Sequence, residues 1–374
     1  MPALTDVYQI DNFIDTFALG HYARVLAATD QRNGRNVALK IMRSEHVQRD
    51  DVPRWEAQAF VHEVDLLSRV FRNPVPVQFY DCGFILADGE YPTEGEIISY
   101  DVNIGPFRDA LFSHNAKGWR PYIALEYLPR YHNLLYLMKP DQQGQRRRLP
   151  TEEGLNLAMQ FGRLLIDAHE QGIVYMDHKL EHVYWDGQQL RLIDWNSSKR
   201  IEAGGQTLAQ SCQKDIHNLC VGILYPLFTG LSPQRGGLRP QPAGIQEVDA
   251  RYSDVNHLDF TVEPTLSPLL MDLMERGARQ EIATAEEFLQ RVEHIATHFG
   301  WEFRYQTTSP VLTEARQHIQ TGLEKLRTST DLAREAREML LEAAILDGIN
   351  EDIENELRRL LKDINDFLSA RVIP

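Results

Sequence analysis

The sequence is poor in the residues that carry redox or zinc chemistry. Its three cysteines, Cys82, Cys212 and Cys220, are scattered without ligand spacing, a pattern of reduced thiols that argues against disulfides and zinc. Basic residues are also in short supply: 39 Lys plus Arg stand against 54 Asp plus Glu, a formal net charge of −15. Nucleic acid is therefore not an expected partner, because a phosphate-backbone binder needs the opposite sign. Long hydrophobic runs are missing as well. The most apolar stretch, Cys220 to Phe228, falls far short of the roughly 20 residues that cross a bilayer, so it is expected to form a buried core helix and no membrane association is expected. The opening residues carry Asp6 and Asp11 where a secretory signal is basic and then apolar, so no targeting peptide is expected and the location is read as cytoplasmic. What the chain does have is bulk. Its 374 residues are 43% hydrophobic and 25% charged, enough for two or three cores at about 150 residues per domain.

From Phe13 to Ile41 apolar and polar residues alternate around turn signals at Gly20 and Asp30 to Arg35, which predicts two or three antiparallel strands. Phe60, Val64, Leu66, Leu67 and Val70 then recur at helical spacing until Asn73-Pro74, which predicts one amphipathic helix. Strands are expected at Val77 to Ile85 and Tyr122 to Tyr127, separated by a segment from Leu86 to Pro121 that is too long for a plain hairpin loop. After Pro150 the texture becomes helical, with predicted helices at Thr151 to His169, Asp215 to Thr229, Leu266 to Arg276 and Thr284 to Phe299, and short strands around Val183 and Leu190. Ser232 to Gly244 is read as a loop. Beyond Pro310 an apolar period through Leu323, Leu326, Leu340, Leu341, Leu346, Leu357, Leu360, Leu361 and Phe367 predicts two or three appended helices, either packed on the body or free for dimerisation or partner capture.

The chemistry-bearing residues come in an ordered series. Gly20 stands within Ala18-Leu19-Gly20-His21-Tyr22-Ala23-Arg24-Val25, followed by Val37-Ala38-Leu39-Lys40 and by Glu63 on the amphipathic helix. Ile123-Ala124-Leu125-Glu126-Tyr127-Leu128 comes next, then Val174-Tyr175-Met176-Asp177-His178-Lys179-Leu180-Glu181-His182, Leu192-Ile193-Asp194-Trp195-Asn196, and the helix opening at Asp215. Over roughly Phe13 to Phe299 this series resembles the eukaryotic-type (Ser/Thr) protein kinase family, as a divergent member with degenerate motifs.

The resemblance implies an α+β, bilobal protein kinase-like fold with an N-lobe at 1–125 (five strands and a helix, with a long insertion near 86–121). A helical C-lobe at 126–305 and a C-terminal helical extension at 306–374 complete it. It implies ATP and Mg²⁺ at a site formed by Gly20, Val25, Ala38, Lys40, Glu63, Glu126, Leu128 and Asp194, with Leu125 guarding the back of the pocket. Lys40 and Lys179 would stabilise phosphate charge, Glu63 would position Lys40, Asp177 would orient the acceptor hydroxyl and take its proton, and Asp194 would hold the metal.

Several positions depart from the family pattern. Alanines replace the first and third loop glycines, which predicts a stiffer loop. His182 stands where the family has a metal-binding asparagine, and as a ligand it suits Mn²⁺ better than Mg²⁺. Met176 replaces the arginine that answers activation-loop phosphorylation. Asn196 replaces a glycine and is read as tolerating positive φ. The stretch Lys199 to Lys214 lacks an alanine-proline-glutamate motif. Three functions follow as alternatives: phosphoryl transfer from ATP to a protein Ser or Thr, a pseudokinase scaffold that binds nucleotide or nothing and works through a partner, and a small-molecule kinase.

Overall fold

Strand alternation and turn chemistry build the first lobe. In this computed structural model, which describes residues 2–13, 22–47, 54–139, 147–202, 206–232, 248, 250–301, 303, 329–330, 332–344 and 351–369, the chain divides into two compact units, Met1–Glu302 and Phe303–Pro374. The first unit opens with β1 (Tyr8–Phe13), β2 (Ala23–Asp30) and β3 (Arg35–Met42), then α1 (Trp55–Val70). It continues through β4 (Phe79–Leu86), β5 (Glu96–Ser99), α2 (Ile104–Asn115) and β6 (Arg120–Glu126). The sheet order is β1-β2-β3-β6-β4-β5. Residues 14–21, including Gly20, lie outside the described residues, as does most of the Ser232 to Gly244 segment.

Register decides which side chains reach the cleft. Val25 lies opposite Lys40, and Ala38 opposite Leu125, so Val25, Ala38 and Lys40 share one sheet face. Leu26, Val37, Leu39, Ile41 and Ala124 fall on the other, where they form a core with Leu4, Val7 and Tyr8. A one-residue slip would exchange the two sets, which fixes the pairing.

The sheet has six strands rather than the five expected, because the 86–121 segment supplies β5 and α2. Ile97 of β5 is fully buried and pairs with Ile85. On α2, His114 stacks on Phe84 with ring centroids 4.6 Å apart and Phe107 lies 5.1 Å from the same ring. The helix is therefore held by aromatic packing, which the polar and turn-forming residues around it conceal in the sequence.

The second lobe begins with α3 (Thr151–Glu170), led by Glu152 and Glu153 at its positive end. Gly172 ends it at φ +70°, where any β-carbon would also meet the Ile201 carbonyl oxygen at 2.3 Å. Short strands β7 (Ile173–Val174), β8 (Val183–Trp185), β9 (Leu190–Leu192) and β10 (Lys199–Arg200) follow. Helix α4 (Gln206–Leu219) runs on through a π-helical turn, Cys220–Leu224, into Tyr225–Thr229. It starts earlier than expected, so only residues 195–205 separate Asp194 from it. Helices α5 (Pro268–Ala278) and α6 (Ala285–His298) complete the unit. In the second unit residues 332–344 are helical and α7 spans Glu351–Ser369. Leu323, Leu326 and Leu346 of the tail pattern lie outside the described residues. No helix among the described residues is long and apolar enough to cross a membrane.

Candidate active site

Lys40 projects from β3 into a cluster of acids. Its Nζ lies 2.7 Å from Glu63 Oε2 on α1 and 2.9 Å from Asp194 Oδ1. Glu63 is fully buried while the Asp194 side chain is 28% exposed, so Asp194 is the member that faces the cleft. Desolvation works against the Lys40 cation, yet Asp194 and Glu63 outweigh it and hold its pKa well above the ordinary value. For Asp194 desolvation works upward, and Lys40 and His182 overcome it to keep the carboxyl well below the usual range.

Asp177, Lys179 and His182 arrive on the loop after β7, and the backbone there is clamped residue by residue. Asp215 accepts the N–H groups of Tyr175 and Met176, both at 2.7 Å, and pairs with His169 Nε2 at 3.1 Å. Asn218 donates to the Met176 carbonyl at 3.1 Å, and Tyr252 OH donates to the His178 carbonyl at 3.0 Å. Under that carbonyl runs Gly222, where a β-carbon would sit 2.7 Å from His178 O. The clamps hold Met176 at φ +68°, and Asp194 sits at φ +61°, conformations that non-glycine residues keep only when the surroundings impose them. Asp177 thereby comes within 3.2 Å of Lys179 Nζ. His182 bridges the two halves, with Nε2 3.2 Å from Asp194 Oδ2 and Nδ1 3.6 Å from Asp177 Oδ2.

The same arrangement of lobes occurs in a solved structure, that of the Cydia pomonella granulovirus kinase PK-1, at 16% identity and a TM-score of 0.50, covering 77% of this chain and 94% of that one. The chain has the protein kinase fold. No family model and no curated protein matches its sequence.

Within this kinase fold, Asp177, His182 and Asp194 each offer a ligand atom within 4.8 Å of the others. Two carboxylates and an imidazole fit a divalent ion, with the imidazole favouring Mn²⁺ over Mg²⁺. Leu128 is half-buried just after β6. The Glu126 carboxylate turns away, accepting from Arg191 Nε at 3.1 Å and from the Gln78 N–H at 3.3 Å, so any nucleotide contact there falls to its backbone.

Asn196 corrects the sequence reading. The positive φ in this triad belongs to Asp194, and Asn196 is not among the positive-φ residues. Its amide instead donates to Tyr22 OH at 2.8 Å, tying the segment to the start of β2. Sequence reasoning also missed three contributors. Tyr175 OH donates to the Ile193 carbonyl at 2.8 Å, His62 on α1 bonds the Ser198 carbonyl at 2.7 Å, and Arg251 reaches Asp177 Oδ1 at 3.2 Å. Tyr175 belongs to the Val174 to His182 series, whereas nothing local marks Arg251.

The His169–Asp215 pair gives a pH signature. Burial works against the imidazolium, but hydrogen bonding to Asp215 and Cys212 outweighs it and pushes the His169 pKa up to about 9. Above its ordinary value of 6.5 the folded chain keeps a proton that the unfolded chain has released. The stabilisation is therefore complete below pH ~6.5 and is lost as pH rises through ~9. Unfolding measured across that window is expected to show a decline on the order of 3 kcal/mol, flattened in His169→Gln. An identical decline in the variant would assign it to other groups.

Proposed function

We infer that the chain transfers the γ-phosphoryl group of ATP to the hydroxyl of a protein Ser or Thr. The observation that carries this reading is the double engagement of Lys40 with Glu63 and Asp194, set against Asp177 and Lys179 across His182. A divalent ion supplies neutralisation of phosphate charge when bound, and Asp194 and His182 are the residues that would hold it, which leaves Asp177 for the acceptor. Asp177 orients the acceptor and takes its proton. The acceptor oxygen forms the new P–O bond as the bond to the β,γ-bridging oxygen breaks, and ADP leaves with that electron pair. Lys40 and Lys179 stabilise the charge on the phosphates.

A second reading, a pseudokinase scaffold acting through a partner, is favoured by one observation: the imidazole of His182 lies against Asp194 Oδ2 where the family pattern has an asparagine. Incubation of the full chain with labelled ATP and Mg²⁺ or Mn²⁺, with Asp177→Ala as the blank, separates the two. The expected result is a raised melting temperature with nucleotide and metal, plus transfer that the blank lacks, to peptide acceptors rather than to small hydroxyl compounds. A nucleotide-induced shift without transfer to any acceptor supports the scaffold. No shift at millimolar nucleotide removes the transfer reading and the nucleotide-binding form of the scaffold, and leaves only a scaffold that binds no nucleotide.

A further inference from the structure

The two oxygens of the Asp177 carboxylate have different surroundings. Oδ2 faces Lys179 Nζ at 3.2 Å and His182 Nδ1 at 3.6 Å. Oδ1 faces Arg251 Nη2 at 3.2 Å. That approach is an ion pair without hydrogen-bond alignment, so Oδ1 accepts no hydrogen bond among the described residues although the side chain is only 4% exposed. A buried carboxylate oxygen left in this state is unusual enough to need a reason. An acceptor hydroxyl donating to it supplies one.

Arg251 is held in place by its neighbour. Tyr252 OH donates to the His178 carbonyl at 3.0 Å, and its ring lies against Gly222. The Arg251 side chain as a whole is 17% exposed, while Nη2, the atom that faces Asp177, is buried. A hydroxyl seated on Oδ1 therefore lies beside a planar cation with several N–H donors, which pairs best with a carboxylate or a phosphate.

We propose that Arg251 is a specificity-determining residue that selects protein acceptors whose hydroxyl lies next to an anionic group, either an acidic side chain or a phosphorylated residue. This rests on the phosphoryl-transfer reading above. A basic side chain at the same place is rejected by like charge.

The test uses the full chain and one peptide series in which a serine is flanked by glutamate, phosphothreonine, alanine or lysine. Binding is followed by fluorescence anisotropy and transfer by kcat and KM. The expected preference for the glutamate or phosphothreonine peptide over the alanine peptide is about tenfold, carried in KM, the size of one charge-assisted hydrogen bond. The stronger of the two anionic arms identifies the source of the anion. Arg251→Gln removes the preference and Arg251→Lys keeps part of it, with melting temperatures confirming that both variants fold. Equal use of all four peptides by the wild type overturns the proposal. So does a preference that survives in Arg251→Gln. A general rise in transfer to every peptide in that variant also overturns it, since Arg251 is then a latch on Asp177. Anion-selective binding that depends on Arg251, without transfer to any peptide, upholds the recognition and defeats the phosphoryl-transfer reading alone.

Discussion

Lys40→Met is expected to lower stability by about 3–5 kcal/mol, because it leaves a carboxylate buried without its cation. Glu63 is fully buried and holds Lys40 Nζ at 2.7 Å, so the deletion cannot be relieved by water reaching the partner. For a chain of this size that corresponds to a fall in melting temperature of about 4–6 °C. The nucleotide-induced shift should vanish at the same time, since the same ammonium is the cation assigned to the phosphates. The double variant Lys40→Met, Glu63→Gln separates the two effects. It should recover much of the stability, because a neutral pair no longer leaves a charge uncompensated, yet it should remain blind to ATP. A Lys40→Met protein that melts like the wild type and still responds to ATP would show that the ion pair matters to neither fold nor ligand.

Asp215→Ala is the second large effect, and it acts on the loop rather than on the chemistry. The carboxylate accepts two backbone N–H groups at 2.7 Å and is itself almost fully buried. Burial alone would raise the Asp215 carboxyl, but His169 and the Met176 N–H outweigh it and hold it below the usual aspartate value. Removing the side chain orphans both donors, at about 1–3 kcal/mol each. It also frees Met176 from φ +68°, a conformation the chain has no intrinsic reason to keep. The expected outcome is a loss of several kcal/mol and faster hydrogen exchange at the amides of Tyr175 and Met176 in particular. Any transfer should fall by about 100-fold or more through misplacement of Asp177. Unchanged exchange at those two amides would mean that other contacts hold the loop, Asn218 first among them.

The period of β3 is readable in its sequence. Val37-Ala38-Leu39-Lys40 places Val37 and Leu39 in the core and Ala38 and Lys40 on the cleft face, which alternation alone predicts. On α1 the apolar period marks the buried face through Phe60, Val64 and Leu67, but a glutamate beside them is as readily solvated, and the burial of Glu63 is decided by its pairing with Lys40. Asp177, Lys179 and Asp194 were legible through the resemblance of their ordered motifs to the protein kinase family, since an isolated Asp-x-Lys carries little information by itself. The 86–121 segment was not legible in this way. β5 has only Glu96–Ser99, too few residues to show a period, and α2 owes its place to rings from β4 rather than to its own pattern.

What the sequence determined by itself is the set of local faces: which residues on each strand and helix point inward, where Gly172 must end a helix, and which charged groups follow one another along the chain. Those properties depend on near neighbours and on backbone preferences, and near neighbours are written in order. Tertiary structure alone decided that Arg251 meets Asp177, that Asn196 meets Tyr22, that Tyr175 joins Ile193, and that His182 lies between two carboxylates. Each of these depends on a side chain's direction after distant segments have closed on one another, and a contact between residues far apart in the chain leaves no periodic trace in either segment.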